Sequence, residues 1–440
     1  MKTADYIICG DYLVTMNDDL NVIRNGAVAV MGNAIAEVGV KDKILAEYAS
    51  DKIIPGDKIA VLPGFINSHA HAAMVFFRGL ADDLPLKEWL EKHIWPAEAR
   101  WLSSEFVRDA TELACLEMLK AGVTAYNDMY LFGDSSAEAA RSLGMRAMIG
   151  AGVIDLPTVV AGTADEYLAN ADRFINKWQG DNLISTCVAP HSTFTCGTET
   201  LNRSKRLAVK LDVPVHIHLS ETLWEVSEIV SKYGLRPVEY LESIGLLDER
   251  TIAAHCVHVD DAEIEILAKR NVSVSHCIES NLKLASGIAP VPKMLKAGVT
   301  VSLGTDGAAS NNDLNIMSEM ATAAKVHKAF ANDPTAIDAE TALLMATKWG
   351  ANSLSLGSRL GSIEKGKTAD IIGVRLDKPH SCPINDIYSH LVYSAMASDV
   401  QMVMVDGQLL ISSGNHVFID EESVLRKAAE WQHKITGKTC

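Results

Sequence analysis

The sequence predicts an α/β fold, a (β/α)8 TIM barrel with a small β-sandwich domain built from both termini. Eight short apolar or β-branched runs occur between residues 61 and 303, and helical patterns such as residues 105–121 and 223–231 separate most of them. Strands that alternate with helices pair in parallel through right-handed crossovers. Eight such units close into a barrel, whose chemistry lies at the C-terminal ends of the strands.

The eight runs share one pattern, because each ends near a polar or ionisable residue. They comprise residues 61–65, 124–127, 146–153, 183–188, 213–217, 251–254, 272–275 and 299–303. The residues at or just after their ends are His69 and His71, Asp128, Asp155, His191, His218, His255, His276 and Asp306. A random scatter of 14 histidines would rarely place so many at one level of a barrel. The pattern therefore predicts a metal centre there.

The two flanks of the barrel have a different character. Residues 1–60 contain alternating strand-like pieces with turn signals, and the same style resumes at about residue 365. Residues 420–434 have a helical pattern. We predict three segments: residues 1–60 as the N-terminal part of a β-sandwich, 61–364 as the metal-dependent (β/α)8 barrel, and 365–440 as the C-terminal part of the sandwich with a terminal helix.

Composition narrows the class of protein. The chain has 440 residues, 48% of them hydrophobic, which is enough for a well-buried α/β core. The net charge of −16 without a basic cluster argues against nucleic acid as a partner. The N-terminus lacks the apolar core of a signal peptide, no segment is long and apolar enough to span a bilayer, and the eight cysteines form no C-x-x-C pair. We expect a cytoplasmic homo-oligomer that binds a small-molecule substrate and neither membrane nor nucleic acid.

The string Asn67-Ser68-His69-Ala70-His71 is the most informative in the chain. Residues two apart on an extended segment point to the same side, so His69 and His71 can offer two imidazole nitrogens to one divalent ion. Imidazole suits zinc, iron, copper and nickel. Two polar residues at a strand end are the alternative, and the other strand ends favour the metal site.

Further candidates follow the fifth, sixth and eighth runs. His216 and His218 share one side of a strand, and His218 is nearer the end and is the better candidate ligand. Glu221 follows one turn later, where a carboxylate is a suitable general acid/base or only satisfies a helix start. Asp306 lies between small residues and can approach an ion or simply form an Asp-Gly turn. His255 could bind the metal or hydrogen-bond a hydroxide.

Two absences restrict the kind of metal site. His191, not a lysine, follows the fourth run, so the sequence offers no carbamylated lysine to bridge two metals there. The His-x-Glu and Pro-Cys-x-x-Cys signature of cytidine-type zinc deaminases is also missing. We therefore expect a mononuclear site.

Together these residues resemble the mononuclear subtype of the amidohydrolase superfamily over nearly the whole chain. Several strings are similar to the 5-methylthioadenosine/S-adenosylhomocysteine deaminases of that superfamily. They are Trp95-Pro96-Ala97-Glu98, Asn127-Asp128-Met129-Tyr130, Ala189-Pro190-His191-Ser192, His218-Leu219-Ser220-Glu221 and the stretch from Gly304 to Asn312. Chlorotriazine hydrolases and guanine deaminases share parts of this set.

The resemblance implies one divalent ion per chain, most simply zinc, with ligands at His69, His71, His218 and Asp306. It implies proton transfer by Glu221, support from His255 and Asp306, and substrate contacts from Glu98 and His191 as well as from Glu221 and Asp306. For Glu98 the role is binding of the ribose hydroxyls; an exposed helix acid is the alternative. For His191 the alternative is a turn histidine.

The implied reaction is hydrolytic deamination of a 6-aminopurine nucleoside to an inosine-type product and ammonia. Family members that take S-adenosylhomocysteine hold its carboxylate with an arginine just after the third strand, where this chain has Gly150-Ala151-Gly152-Val153. We therefore predict that 5′-methylthioadenosine or adenosine is preferred. A chlorotriazine hydrolase or guanine deaminase is the alternative enzyme, and a non-catalytic scaffold conflicts with the filled ligand positions.

Overall fold

Two large β-sheets and one two-stranded sheet make up the β structure of the protein, a computed structural model that describes residues 1–437. Residues 438–440, the end of the predicted C-terminal segment, lie outside the described residues. The strands in chain order are β1 Lys2–Thr3, β2 Tyr6–Val14, β3 Val22–Met31, β4 Ala34–Val40, β5 Tyr48–Ala49, β6 Ile53–Ile54, β7 Ile59–Pro63, β8 Phe65–Ala70, β9 Val123–Tyr130, β10 Arg146–Val153, β11 Ile184–Pro190, β12 Val215–Leu219, β13 Thr251–His255, β14 Ser273–His276, β15 Thr300–Leu303, β16 Ile371–Arg375, β17 Val400–Val405, β18 Gln408–Ser412 and β19 Asn415–His416.

Helices alternate with the strands through the middle of the chain. In order they are α1 Lys41–Glu47, α2 Leu86–Trp89, α3 Trp95–Trp101, α4 Ser104–Lys120, α5 Gly133–Ser142, α6 Ala164–Trp178, α7 Thr198–Leu211, α8 Leu223–Tyr233, α9 Pro237–Ser243, α10 Asp261–Lys269, α11 Ile278–Lys283, α12 Val291–Lys296, α13 Ile316–Ala331, α14 Ala339–Ala346, α15 Lys348–Ser353, α16 Ile387–Tyr393 and α17 Glu421–Thr436. Within residues 1–437, none of these helices is long and apolar enough to cross a membrane.

Strands β8 to β15 form the predicted barrel. Each is parallel to the next strand in the chain. The last strand returns to the first through a single bridge between Ala70 and Asp306, where the Asp306 N–H donates to the His69 carbonyl at 3.0 Å. The TIM-barrel prediction is confirmed, and the barrel closes at the level of its candidate ligands.

The prediction that residues 61–65 form the first barrel strand is wrong. Residues Ile59–Pro63 form β7, which pairs with β2 and β16 in the second sheet, and the first barrel strand is β8. Gly64 separates the two strands, and a Cβ there would meet the Thr124 side chain at 2.1 Å. The chain can pass from one sheet to the other only because this position lacks a side chain. His69 consequently lies inside a barrel strand, fully buried.

The second sheet combines both ends of the chain. Its strand order is β19-β18-β17-β16-β7-β2-β3-β4, with β6 beside β2. Ile8 and Val28 from the N-terminal segment share one buried cluster with Ile371 and Met402 from the C-terminal segment, so both ends of the chain contribute to one core. The β domain built from both termini is confirmed, while the boundaries at residues 60 and 364 stay predictions.

Candidate active site

Four side chains converge where the barrel closes. Nε2 of His69 and Nε2 of His71 lie 3.4 and 3.2 Å from Oδ1 of Asp306. Nε2 of His218, from β12, lies 3.2 Å from Nε2 of His71. Two overlapping triads, His69–His218–His255 and His69–His71–Asp306, each have their ligand-type atoms within 4.8 Å of one another. Three imidazoles and a carboxylate are a donor set that suits a divalent ion such as zinc.

The opposite ring nitrogens of these histidines are held by hydrogen bonds. Nδ1 of His71 donates to the Met129 carbonyl, and Nδ1 of His218 donates to the His191 carbonyl at 2.7 Å. Nδ1 of His69 pairs with Nε2 of His216 at 2.9 Å. Such partners fix the ring orientation and leave Nε2 facing the site. Nε2 of His69 is buried and makes no hydrogen bond within residues 1–437, as expected of a nitrogen that coordinates a metal ion.

Electrostatics at the site differ between the three histidines. The hydrogen bond and charge of Asp306 outweigh the effect of burial and raise the pKa of His71 to about 9. Burial lowers the pKa of His69 to about 3 and the pKa of His218 well below its ordinary value. Neutral histidine is the form that binds a metal. The other carboxylate oxygen of Asp306, Oδ2, accepts hydrogen bonds from Ser280 and Ser310, both at 2.7 Å, so Oδ1 alone faces the histidines.

Glu221 and His255 lie beside this cluster. Oε2 of Glu221 is 3.8 Å from Nε2 of His255, and Ser286 donates to the other Glu221 oxygen at 3.4 Å. Burial raises the pKa of Glu221, which brings the carboxyl closer to the range of a general acid/base. His255 has a φ of 71°, a strained backbone of the kind found at functional sites, and its Nδ1 pairs with Oδ1 of Asn281 at 2.9 Å.

A cavity of about 450 Å³ opens from these residues. Glu98 and His191 line it together with apolar side chains of the segment from Leu86 to Leu102 and of the loop from Ile154 to Val159. Tyr130 donates to Glu98 at 2.7 Å, yet burial raises the pKa of Glu98 to about 7. The described lining residues include three carboxylic acids and no lysine or arginine.

All the residues named from the sequence as site candidates meet in this one region. Three other strand-end residues do not line the cavity: Asp128, whose Oδ1 accepts from the Ala72 N–H at 2.7 Å, Asp155 and His276. Asp155 accepts from the Gly197 N–H at 2.6 Å and fixes the start of α7, and His276 pairs with His327 at 3.0 Å through their Nε2 atoms.

Sequence reasoning missed the residues that support the site. Glu225 and Asn281 hydrogen-bond to Glu221 and His255, and His216, considered only as a weaker ligand than His218, hydrogen-bonds to His69. Of the segment from Leu86 to Leu102, only Glu98 was anticipated. The two-residue spacing of His216 and His218 was the only available signal, and it indicated a shared face of β12 without indicating a partner.

Comparison with known proteins places the geometry in context. The family model described as Amidohydrolase family matches residues 60–410. A 5-methylthioadenosine/S-adenosylhomocysteine deaminase of Thermodesulfovibrio yellowstonii is 54% identical over 98% of this chain and 98% of its own. A 5′-deoxyadenosine deaminase of Methanosarcina acetivorans is 45% identical over 99% of both chains.

Two solved structures are similar throughout. An adenosine deaminase from Xanthomonas campestris with bound zinc has a TM-score of 0.98 at 41% identity and covers 99% of this chain and 100% of its own. An atrazine chlorohydrolase from Arthrobacter aurescens complexed with zinc has a TM-score of 0.91 at 25% identity and covers 97% and 100%.

Proposed function

The chain belongs to the amidohydrolase family, and on that premise we propose that it is a metal-dependent deaminase of 6-aminopurine nucleosides. Water replaces the amino group at C6, which gives an inosine-type product and ammonia. One observation carries the proposal: three imidazoles and the free oxygen of Asp306 converge on the floor of a cavity that also contains a buried carboxylate, Glu98.

His69, His71, His218 and Asp306 would hold one divalent ion, for which zinc is our assignment. The unpartnered Nε2 of His69 and the tethered Nδ1 atoms support this set. The two zinc-containing structures described above support the choice of metal. When bound, the ion lowers the pKa of water towards neutrality and supplies a hydroxide nucleophile for attack on C6.

The protein's own side chains would then move the protons. Glu221 takes the proton of the attacking water and delivers it to ring N1, so that C6 becomes electrophilic. His255 and Asp306 orient the attacking oxygen. A second proton passes through Glu221 to the C6 amino group, the C–N bond breaks, and ammonia leaves as the C6 carbonyl forms. Only water is consumed.

The remainder of the cavity would bind the nucleoside. Glu98 accepts hydrogen bonds from the ribose diol, a role for which a carboxylate has enough lone pairs. Tyr130 holds that carboxylate in place at 2.7 Å. His191, whose ring centre is 4.8 Å from that of His218, contacts the nucleoside near the reaction centre. A triazine has no ribose, so Glu98 favours a nucleoside over the chlorotriazine alternative.

We expect the 5′ end of the substrate to face a lining that has no lysine or arginine among its described residues. Arg146 is unavailable, because it lies at the start of β10 and is buried in ion pairs with Asp370 at 3.0 Å and Asp406 at 3.1 Å. We therefore expect 5′-methylthioadenosine or adenosine as preferred substrates, with S-adenosylhomocysteine poorer. We further propose a cytoplasmic location, a homo-oligomeric state, and the division of the chain at residues 60 and 364.

Release of ammonia from the purine compounds, and of chloride from a chlorotriazine, tests the proposal across a panel of compounds. The zinc-loaded protein would be assayed with five compounds: adenosine, 5′-methylthioadenosine, S-adenosylhomocysteine, guanine and a chlorotriazine. Turnover of the nucleosides with no release from guanine supports the assignment. Turnover of guanine or of the chlorotriazine alone contradicts it.

A further inference from the structure

We propose that Glu225 is a positioning residue that fixes the backbone of residues 220 and 221 and thereby aims the Glu221 carboxylate into the cavity. The inference rests on the proposed function for the role of Glu221. The part of the proposal that concerns the conformation of residues 220 and 221 can be tested without any substrate.

The Glu225 side chain makes three hydrogen bonds to the loops beside the site. Its Oε2 accepts from the Glu221 N–H at 2.8 Å, and its Oε1 accepts from the Ser220 N–H at 3.2 Å. The same Oε1 accepts from the Thr193 hydroxyl at 2.8 Å. Thr193 follows His191 by two residues, so one carboxylate joins the loop of the candidate acid/base to the loop of a candidate substrate contact.

Helix capping does not explain these contacts. Glu225 lies in the first turn of α8, but the cap of that helix is Thr222, whose hydroxyl accepts from the Glu225 N–H at 3.2 Å. In an ordinary capping box the third helical residue would accept from the N–H of the cap residue itself. Here the carboxylate reaches past Thr222 to the two preceding peptide groups.

Burying the Glu225 carboxylate costs free energy, so its presence here indicates a specific role. Glu225 is only 1% exposed, and burial raises its pKa to about 7. A buried carboxylate is tolerated when hydrogen bonds and a helix N-terminus compensate for lost hydration, and both are present. In a position that only filled space, an apolar residue would serve better.

The backbone that Glu225 holds is strained. Ser220 has a φ of 51°, a left-handed conformation that non-glycine residues adopt reluctantly. Its N–H is held by Glu225, and its carbonyl accepts from the His258 N–H at 2.9 Å. Strain of this kind persists only where the surroundings fix it. Loss of the Glu225 contacts should therefore let the peptide relax and turn the Glu221 side chain away.

Glu225→Gln tests the role, because the amide keeps the shape but turns one acceptor into a donor that faces a backbone N–H. We expect kcat to fall about 10- to 100-fold, the usual effect of a misplacement of about 1 Å. KM should change less than kcat, by under about threefold, because the Glu221 carboxylate is the group displaced most, and zinc content should stay at the wild-type level. Glu228→Gln, at an exposed position on the same helix, is the matched control.

Hydrogen exchange of the Ser220 and Glu221 amides gives a readout independent of substrate. The zinc-loaded Glu225→Gln protein should exchange both amides faster than wild type and the Glu228→Gln control. Thr193→Val should have a smaller effect in the same direction, and Thr193→Ser, which keeps the hydroxyl, should restore wild-type exchange and kcat.

The outcomes separate this inference from the proposed function. Unchanged exchange at both amides in Glu225→Gln overturns the positioning role, as does a loss of kcat that only follows a loss of folded, zinc-loaded protein. Faster exchange in a protein whose wild type releases no ammonia from nucleosides would leave the positioning role standing and overturn the proposed function.

Discussion

Nδ1 of His69 lies 2.9 Å from Nε2 of His216, while the other ring nitrogen of His69 faces Asp306. His71 and His218 donate from Nδ1 to backbone carbonyls, which can only accept. The partner of His69 is instead another imidazole, which can donate or accept. For His69 to present a lone pair at Nε2, its Nδ1 must donate, so His216 has to accept at its own Nε2.

Loss of this acceptor should weaken metal binding. We expect His216→Leu to lower zinc affinity about 10- to 100-fold, the usual effect of removing a partner of a metal-binding histidine. His216→Gln, which retains an acceptor, should lose less. Competition with a chromogenic chelator measures the affinity, and thermal unfolding of the metal-free proteins is the control for general destabilisation. Equal zinc affinity in wild type and His216→Leu would show that His216 serves packing alone.

Metal content is a second prediction. Three histidines and one aspartate surround one site, so we expect one divalent ion per chain and loss of turnover after exhaustive chelation. Added zinc should restore it. Elemental analysis of purified protein measures the ratio, and His71→Asn should lower it while Asp155→Asn, at a strand end away from the cavity, should not. A ratio of two, or full activity without metal, contradicts the mononuclear site.

The candidate acid/base can be tested by an isosteric change. Glu221→Gln should keep the fold and the zinc content but lower kcat by about 10²- to 10⁴-fold, because the amide cannot accept a proton. Steady-state ammonia release and elemental analysis measure the two quantities on the same preparation. Turnover at the wild-type level would mean that Glu221 only satisfies the start of α8.

The level of the site in the barrel could be predicted because C-terminal strand ends meet on one rim. That rule placed His218 and Asp306 near His69 without knowledge of any contact. The first strand could not be placed, because the apolar run continues across Gly64 and only the close approach of Thr124 shows where one sheet ends.

The supporting residues could not be predicted for a different reason. In the sequence, Glu225 looks like one of the acidic residues that are common in the first turn of a helix. Asn281 belongs to no pattern that would single it out. Their roles depend on contacts across the fold, such as the 2.9 Å pairing of Asn281 with His255. Periodicity reports which face of an element is buried, but not which polar atom will lie opposite it.

Substrate binding should depend on the ionisation of Glu98. Burial raises the pKa of Glu98 to about 7, so its charge is present above that pH and is lost below it. A protonated acid has less capacity to accept the ribose diol, so the Kd for a nucleoside should rise as the pH falls through about 7. Glu221→Gln protein allows the measurement without turnover and removes the titration of Glu221. In the double variant Glu98→Gln,Glu221→Gln, the Kd should be higher than in Glu221→Gln and much less dependent on pH. If the double variant kept the pH profile of Glu221→Gln, Glu98 would not be the residue that binds the ribose.

The preference at the 5′ end follows from charge. A methylthio group needs only an apolar pocket, whereas the homocysteine tail brings a carboxylate towards a lining with no lysine or arginine among its described residues. An unpaired charge in a partly buried site is unfavourable. We expect kcat/KM for S-adenosylhomocysteine to be about tenfold or more below that for 5′-methylthioadenosine, a difference of about 1.4 kcal/mol.

A designed cation should reverse the preference. Leu156 lines the cavity and is 41% exposed, so an arginine there can reach both the substrate and solvent. Leu156→Arg should raise kcat/KM for S-adenosylhomocysteine relative to 5′-methylthioadenosine by about tenfold, and the neutral control Leu156→Gln should not. The gain should shrink at high salt, because screening weakens the new ion pair. Wild-type protein that already uses both nucleosides equally would show that a basic residue from outside this cavity, such as one from a neighbouring subunit, holds the carboxylate.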